Sequence, residues 1–155
     1  MKRMFIIAGA IFALDQLTKL VVVQWLNLAE RGEIDVIPPL LNLRMAWNRG
    51  INFGLMAGDQ ALTRWILISV AVLITGWVIW WMRRETRTLP RVSAGVLIGG
   101  AMGNVVDRIV YGAVADFLNM SCCGFENPYS FNVADIAVFA GALGLILFTG
   151  EKKTP

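Results

Sequence analysis

Four long apolar runs, over residues 4–25, 65–82, 92–110 and 132–149, constrain this chain more than any other feature. Each approaches the ~20 residues that an α-helix needs to cross a bilayer. Backbone buried in hydrocarbon must satisfy its own hydrogen bonds, so runs of this kind are read as helices. The 155 residues are 57% hydrophobic and 16% charged, too apolar for an ordinary soluble domain. The expected fold is an all-α membrane protein: a four transmembrane helix bundle, with a small extracytoplasmic β-sheet and an outer loop, in a single integral-membrane domain over 1–155.

Charge orients the bundle. Lys2 and Arg3, then Arg83, Arg84, Arg87 and Arg91, then Lys152 and Lys153 all fall on one side of these runs. By the excess of basic residues in cytoplasmic loops, both termini are expected inside and the 27–63 and 111–131 segments outside. The same argument explains the net charge of +3 without nucleic acid. The 4–14 run alone could pass for a signal peptide, with Ala8-Gly9-Ala10 as small residues, but it resumes through Leu20-Val21-Val22-Val23 to spanning length. Within 27–63, Leu41, Leu43, Met45 and Trp47 alternate with Asn42, Arg44, Ala46 and Asn48, the period of a half-buried strand. Glu33-Ile34-Asp35-Val36 starts the same alternation before Pro38-Pro39 interrupts it. Asn48 to Gly54 reads as a turn-rich loop.

The absence of histidine excludes Ser-His and Cys-His catalysis and H-E-x-x-H zinc sites. The cysteines, Cys122 and Cys123, are adjacent; that geometry suits neither a relaxed disulfide nor two ligands of one metal, so two unpaired thiols are expected.

Carboxylates stand where apolar segments should tolerate none. Asp15 lies about 16 Å along the first span from Met4, and Lys19, one turn on, can pair with it or snorkel outwards. Asn104-Val105-Val106-Asp107 and Asn132-Val133-Ala134-Asp135 repeat N-x-x-D at the outer ends of two spans. Val114-Ala115-Asp116 repeats Val133-Ala134-Asp135, so the outer loop has an aspartate near each end. Gly95, Gly99 and Gly103 recur every four residues and Asp107 continues the stripe, which turns it towards a closely packed neighbour. Asn104 can orient Asp107 or pair across helices, and Asn132 can cap the fourth helix with Asp135 at N3. Two carboxylates brought side by side share one proton and so supply an acid and a base together. Asp116 with Asp135, or Asp107 with Asp135, would serve. A proton-coupled transporter would also use intramembrane carboxylates. A serine–lysine protease would need Lys19 to reach Ser121 or Ser130. A scaffold subunit would use the glycine stripe as a dimer face. No Lys-Ser/Thr follows that stripe, so it is no phosphate loop.

Asp15, Asn48-x-Gly50-x-x-Phe53, Gly99-Gly100-x-x-Gly103-Asn104-x-x-Asp107-Arg108, Val114-x-Asp116-Phe117 and Phe131-Asn132-x-Ala134-Asp135, in this order among four spans, resemble the bacterial lipoprotein signal peptidases, or signal peptidase II. The resemblance implies an aspartyl endopeptidase of the bacterial cytoplasmic (inner) membrane. It would remove the signal peptide of prolipoproteins by cutting before the diacylglyceryl-modified cysteine. The family's catalytic pair falls on Asp116 and Asp135, and its supporting residues on Asp15, Asn104, Asp107, Arg108 and Asn132. Asn48 and Gly50 fall beside the substrate. No metal or other cofactor is expected; the partners are lipidated precursors and membrane lipids, and the enzyme is expected to be a monomer.

Overall fold

The structure is a computed structural model in which residues 1–38, 40–50, 60–122 and 124–150 are described. Helix α1 (Lys2–Lys19) runs on as a π-helical segment, Leu20–Trp25, followed by the single turn α2 (Leu28–Arg31). Strands β1 (Glu33–Ile37) and β2 (Leu41–Asn48) form a hairpin, and helices α3 (Gln60–Met82) and α4 (Thr88–Val110) follow. Strand β3 (Val114–Asn119) and helix α5 (Val133–Thr149) complete the chain. Lys2–Trp25, Gln60–Met82 and Thr88–Val110 are each long and apolar enough to cross a membrane. Helix α5 is equally apolar but has 17 residues, a rise of about 26 Å against a hydrocarbon core of about 30 Å.

Helix α4 is the hub, packed against α1, α5 and α3. Its glycines make this possible. A Cβ at Gly95 would lie 2.6 Å from the Met4 carbonyl oxygen, and one at Gly99 2.6 Å from that of Ala8. A Cβ at Gly100 would meet the Ala134 carbonyl oxygen at 2.5 Å. The predicted stripe thus seats α1, and Gly100 on the adjoining face seats α5. Met4, Ala8, Val78, Met82, Ala94, Leu97, Ile98 and Leu145 fill the space between these helices. The stripe is occupied within the chain, which removes the feature that suggested a scaffold's dimer face.

The antiparallel sheet has the order β1-β2-β3. Glu33 pairs with Arg44 in the first ladder and Ala46 with Asp116 in the second. The hairpin is where the alternation placed it. Strand β3 falls in the segment expected to be loop: five of its six residues are buried, so neither face supplies the polar alternation that marks a half-exposed strand. Val23, Leu28, Leu43, Ala115 and Phe117 form a second apolar cluster beneath the sheet, tying β3 to the end of the first long helix. Helices α3 and α4 begin earlier than the apolar runs suggest, at Gln60 and Thr88. Pro90 fits the first turn of α4, where its missing N–H has no intrahelical acceptor.

Candidate active site

Two nests of carboxylates sit one above the other between the helix bundle and the sheet. In the deeper one, Asp15 and Asp107 are fully buried. Lys19, also buried, places its Nζ 2.7 Å from Asp15 Oδ2 and 2.7 Å from Asp107 Oδ2. Gln16 Nε2 donates to both residues, at 3.1 Å each. The remaining capacity of these carboxylates goes to backbone: Asp15 Oδ1 accepts the Ala134 amide at 2.9 Å and Asp107 Oδ2 the Ala115 amide at 3.1 Å. One cation contacts both carboxylates, and the Gln16 amide and two backbone amides supply the further donors that such a buried cluster needs beside apolar helices. Lys19 therefore pairs with Asp15, as its one-turn spacing suggests, and with Asp107 as well.

The second nest is built on Asn132. It caps α5: Asn132 Oδ1 accepts the Asp135 amide at 2.8 Å, while Asp135 Oδ2 accepts the Asn132 amide at 3.2 Å. That is the reciprocal capping box available to Asn followed three residues later by an acid. The same side chain reaches further. Asn132 Nδ2 donates to Asp116 Oδ1 at 2.7 Å and lies 3.2 Å from Asn104 Oδ1. Asn104 Nδ2 donates to Asp135 Oδ1 at 2.8 Å, so the Asn104 amide pairs across helices and leaves Asp107 to α1 and Lys19. Asn48 Nδ2, on the last residue of β2, donates to Asp116 Oδ2 at 3.1 Å. Gly50 N returns a hydrogen bond to Asn48 Oδ1 at 3.0 Å. Arg108 donates to the Asn104 carbonyl at 3.2 Å and feels the charges of Asp135, Asp116 and Asp107.

Asp116 is 3% exposed. Burial, and secondarily the Asp135 charge, push its carboxyl up to about 7 against the pull of Asn48, Asn132 and Lys19. It lines a cavity of about 840 Å3 with Trp47, Asn48, Gly50, Tyr129 and Ser130 among its walls. Asn132 links the two aspartates with different groups: its side-chain Nδ2 donates to Asp116 Oδ1 and its backbone amide to Asp135 Oδ2.

The sequence-selected residues Asp15, Asn48, Gly50, Asn104, Asp107, Arg108, Asp116, Asn132 and Asp135 are thus brought to one end of the bundle. Gln16 and Lys19 were not among them as site residues; a glutamine and a lysine on an apolar span next to Asp15 were the available signal. Asn119 was also missed. It is buried, accepts from Ser121 at 3.1 Å and donates to the carbonyls of Asn127 and Tyr129 at 2.8 and 2.9 Å, which fixes the loop carrying Tyr129. Ser130 donates to the Arg44 carbonyl at 2.8 Å, so neither serine pairs with Lys19 as the serine–lysine alternative needs. Cys122 is disulfide-bonded, a correction to the expected free thiols. Cys123, Phe53 and residues 51–59 of the expected 27–63 β region lie outside the described residues, and 60–63, expected in that region, are the first turn of α3 instead.

Helices long and apolar enough to cross a membrane, gathered beside the buried Asp116 and the half-buried Asp135 that Asn132 and Asn104 tie together, define a multi-pass membrane protein. The family model of signal peptidase (SPase) II matches residues 7–150, and the chain belongs to that family. It is 42% identical over 142 residues to a lipoprotein signal peptidase of Methylobacterium sp. (strain 4-46), covering 92% of this chain and 85% of the relative. Identity to a lipoprotein signal peptidase of Rhodopseudomonas palustris is 38% over 149 residues, 93% of this chain and 90% of the relative. A bacterial membrane enzyme solved by the in meso method at 1.9 Å has the same fold, with TM-score 0.81, 25% identity and coverage of 99% of this chain and 96% of the other.

Proposed function

We propose that this chain is an aspartyl endopeptidase that removes the signal peptide of prolipoproteins, cutting before the diacylglyceryl-modified cysteine. The observation that carries the mechanism is the Asp116 carboxyl, buried against the cavity, raised to about 7 and joined to Asp135 through Asn132. In this mechanism the protonated Asp116 is the acid and Asp135 is the base. Asp135 takes a proton from water as the water oxygen attacks the scissile carbonyl carbon, and Asp116 gives its proton to the carbonyl oxygen. Collapse of the tetrahedral intermediate returns a proton to Asp116 and passes one from Asp135 to the leaving amine. Both carboxyls end as they began.

In this reading Asp15, Asn104, Asp107, Arg108 and Asn132 support the dyad, and Asn48 and Gly50 border the substrate. The Lys19 ammonium already occupies the place between Asp15 and Asp107 that a cation would take. Helix α5 acts as a fourth span of a single-domain monomer in the bacterial inner membrane. Both termini are cytoplasmic and the sheet lies at the outer face, where a lipid-anchored cysteine would present its peptide. Reporter fusions after Gly32 and Arg87 should report opposite compartments. The decisive assay uses the full chain in detergent with a diacylglyceryl-modified precursor. Asp116→Asn and Asp135→Asn should each lower turnover by about a thousandfold or more, ~4 kcal/mol of barrier. Near-normal turnover by either variant would remove the dyad.

A further inference from the structure

The opposite end of the bundle has a charge arrangement that the peptidase reading leaves unused. Trp80, Trp81, Arg83, Arg84 and Glu85 line a cavity of about 490 Å3 where α3 gives way to the turn before α4. Its one acid is already committed. Glu85 Oε1 accepts the Thr86 and Arg87 amides at 2.9 Å each and Arg87 Nε at 3.0 Å, and Oε2 accepts Arg87 Nη2 at 2.8 Å. The forked Arg87 contact holds the Glu85 carboxyl down at about 2, ionised and neutralised by its own neighbour.

Arg83 and Arg84 are therefore left without a counterion. Both are exposed, and among the described residues neither side chain has a hydrogen-bond or ion-pair partner. The wall beside them is aromatic. Trp81 stacks on Trp77 one turn earlier, with centroids 5.3 Å apart and planes 25° apart. Trp77 is 57% exposed and Trp80 65%, so a flat apolar surface leads from the arginines along the flank of α3. The arginines follow directly on a 23-residue apolar helix, which sets them at headgroup depth and the tryptophans at the edge of the hydrocarbon.

We propose that this cavity is a headgroup site for an anionic phospholipid, with Arg83 and Arg84 on the phosphate and an acyl chain along the Trp77–Trp81 stack. Guanidinium pairs suit phosphate because their donors match its oxygens two at a time. Free phosphate shares that chemistry, but it leaves the aromatic wall uncovered, and the wall is what selects the lipid.

The test uses full-length protein in detergent micelles, titrated with phosphatidylglycerol and phosphatidylcholine of identical acyl chains, with bound lipid counted by native mass spectrometry. Wild type should retain phosphatidylglycerol in preference to phosphatidylcholine by about tenfold, the scale expected when two arginines meet an anionic headgroup. R83Q/R84Q should lose that preference and R84Q alone should weaken it, both eluting as wild type does on size exclusion. Millimolar inorganic phosphate should leave the adduct in place. Equal retention of the two lipids by wild type, or an undiminished preference in R83Q/R84Q, would overturn the site. Displacement by inorganic phosphate would overturn its assignment to a lipid.

Discussion

The Asp15 carboxylate accepts the backbone amide of Ala134 at 2.9 Å, across 119 positions of chain. Asp107 grips the Ala115 amide in the same way at 3.1 Å. Each alanine immediately precedes an aspartate of the proposed dyad, so the repeated Val-Ala-Asp tripeptide is matched by a repeated grip from below. Lys19 and Gln16 join the two gripping carboxylates into one unit. A disturbance to either grip is therefore transmitted to both catalytic candidates through a few hydrogen bonds.

Lys19→Met tests that unit. It leaves Asp15 and Asp107 buried, facing each other and without their shared cation, and breaking a buried ion pair on one side costs about 3–5 kcal/mol. The midpoint of heat-induced aggregation in detergent should drop by several degrees and turnover should fall with it. Lys19→Arg, which keeps the charge, should recover part of both. A Lys19→Met protein with wild-type melting and turnover would mean that the cluster carries no such load.

Much of this arrangement was legible in the sequence, and what was not has physical causes. The Gly95-Gly99-Gly103 period survives in sequence because a helix face needs small residues at fixed spacing wherever a backbone comes close. The hairpin was legible because Leu41 to Asn48 has one wetter face. Strand β3 is covered almost throughout, so its apolar residues carry no alternation. The Lys19–Asp107 contact belongs to tertiary packing, and spacing along α1 reveals only the Asp15 half of it. Asn132 showed its cap in sequence but not its second bond, to Asp116.

Asp116 should leave a signature in the pH dependence of stability. Its carboxyl rises from an ordinary 3.8 to about 7 in the folded protein, first through burial and then through the Asp135 charge. Below the ordinary value both folded and unfolded chains hold the proton, and the contribution is fully present. Between about 4 and 7 the unfolded chain has released it and the folded chain has not, so stability falls as pH rises through that window and levels off above. Melting temperatures from pH 4 to 8 should show this slope in wild type and a smaller one in Asp116→Asn. Turnover should also decline above about pH 7 as the proposed acid ionises. Equal slopes in the two proteins would contradict the raised value.

Gly50 has φ +105°, and a Cβ there would lie 2.6 Å from Leu67 Cδ1. The leucine tip can move, but a side chain at this φ is strained by about 1–3 kcal/mol wherever the leucine goes. Gly50→Ala should therefore shift the Gly50 amide off Asn48 Oδ1, and with it the Asn48 amide off Asp116. We expect a tenfold or greater loss in kcat/KM with at most a modest loss of melting temperature. Full activity in Gly50→Ala would show that Asn48 keeps its place without this turn.

Asn132 combines two roles that one pair of variants can separate. Its Oδ1 caps α5 through the Asp135 amide, and its Nδ2 donates to Asp116. Serine caps helices about as well as asparagine, so Asn132→Ser should keep the cap within about 1 kcal/mol while losing the amide donor. Alanine loses both. If Asn132 orients the Asp116 carboxyl as well as capping the helix, the serine variant should melt near wild type. Its turnover should still fall by at least tenfold, because Asp116 Oδ1 then lies buried without the amide that fixes its rotamer. The alanine variant should fall further in both measurements, with part of its lost turnover due to fraying of the first turn that carries Asp135. Thermal melts and turnover on a lipidated precursor, run side by side, distinguish the cases. Wild-type turnover in Asn132→Ser would assign Asn132 to capping alone and leave Asn48 as the residue that orients Asp116.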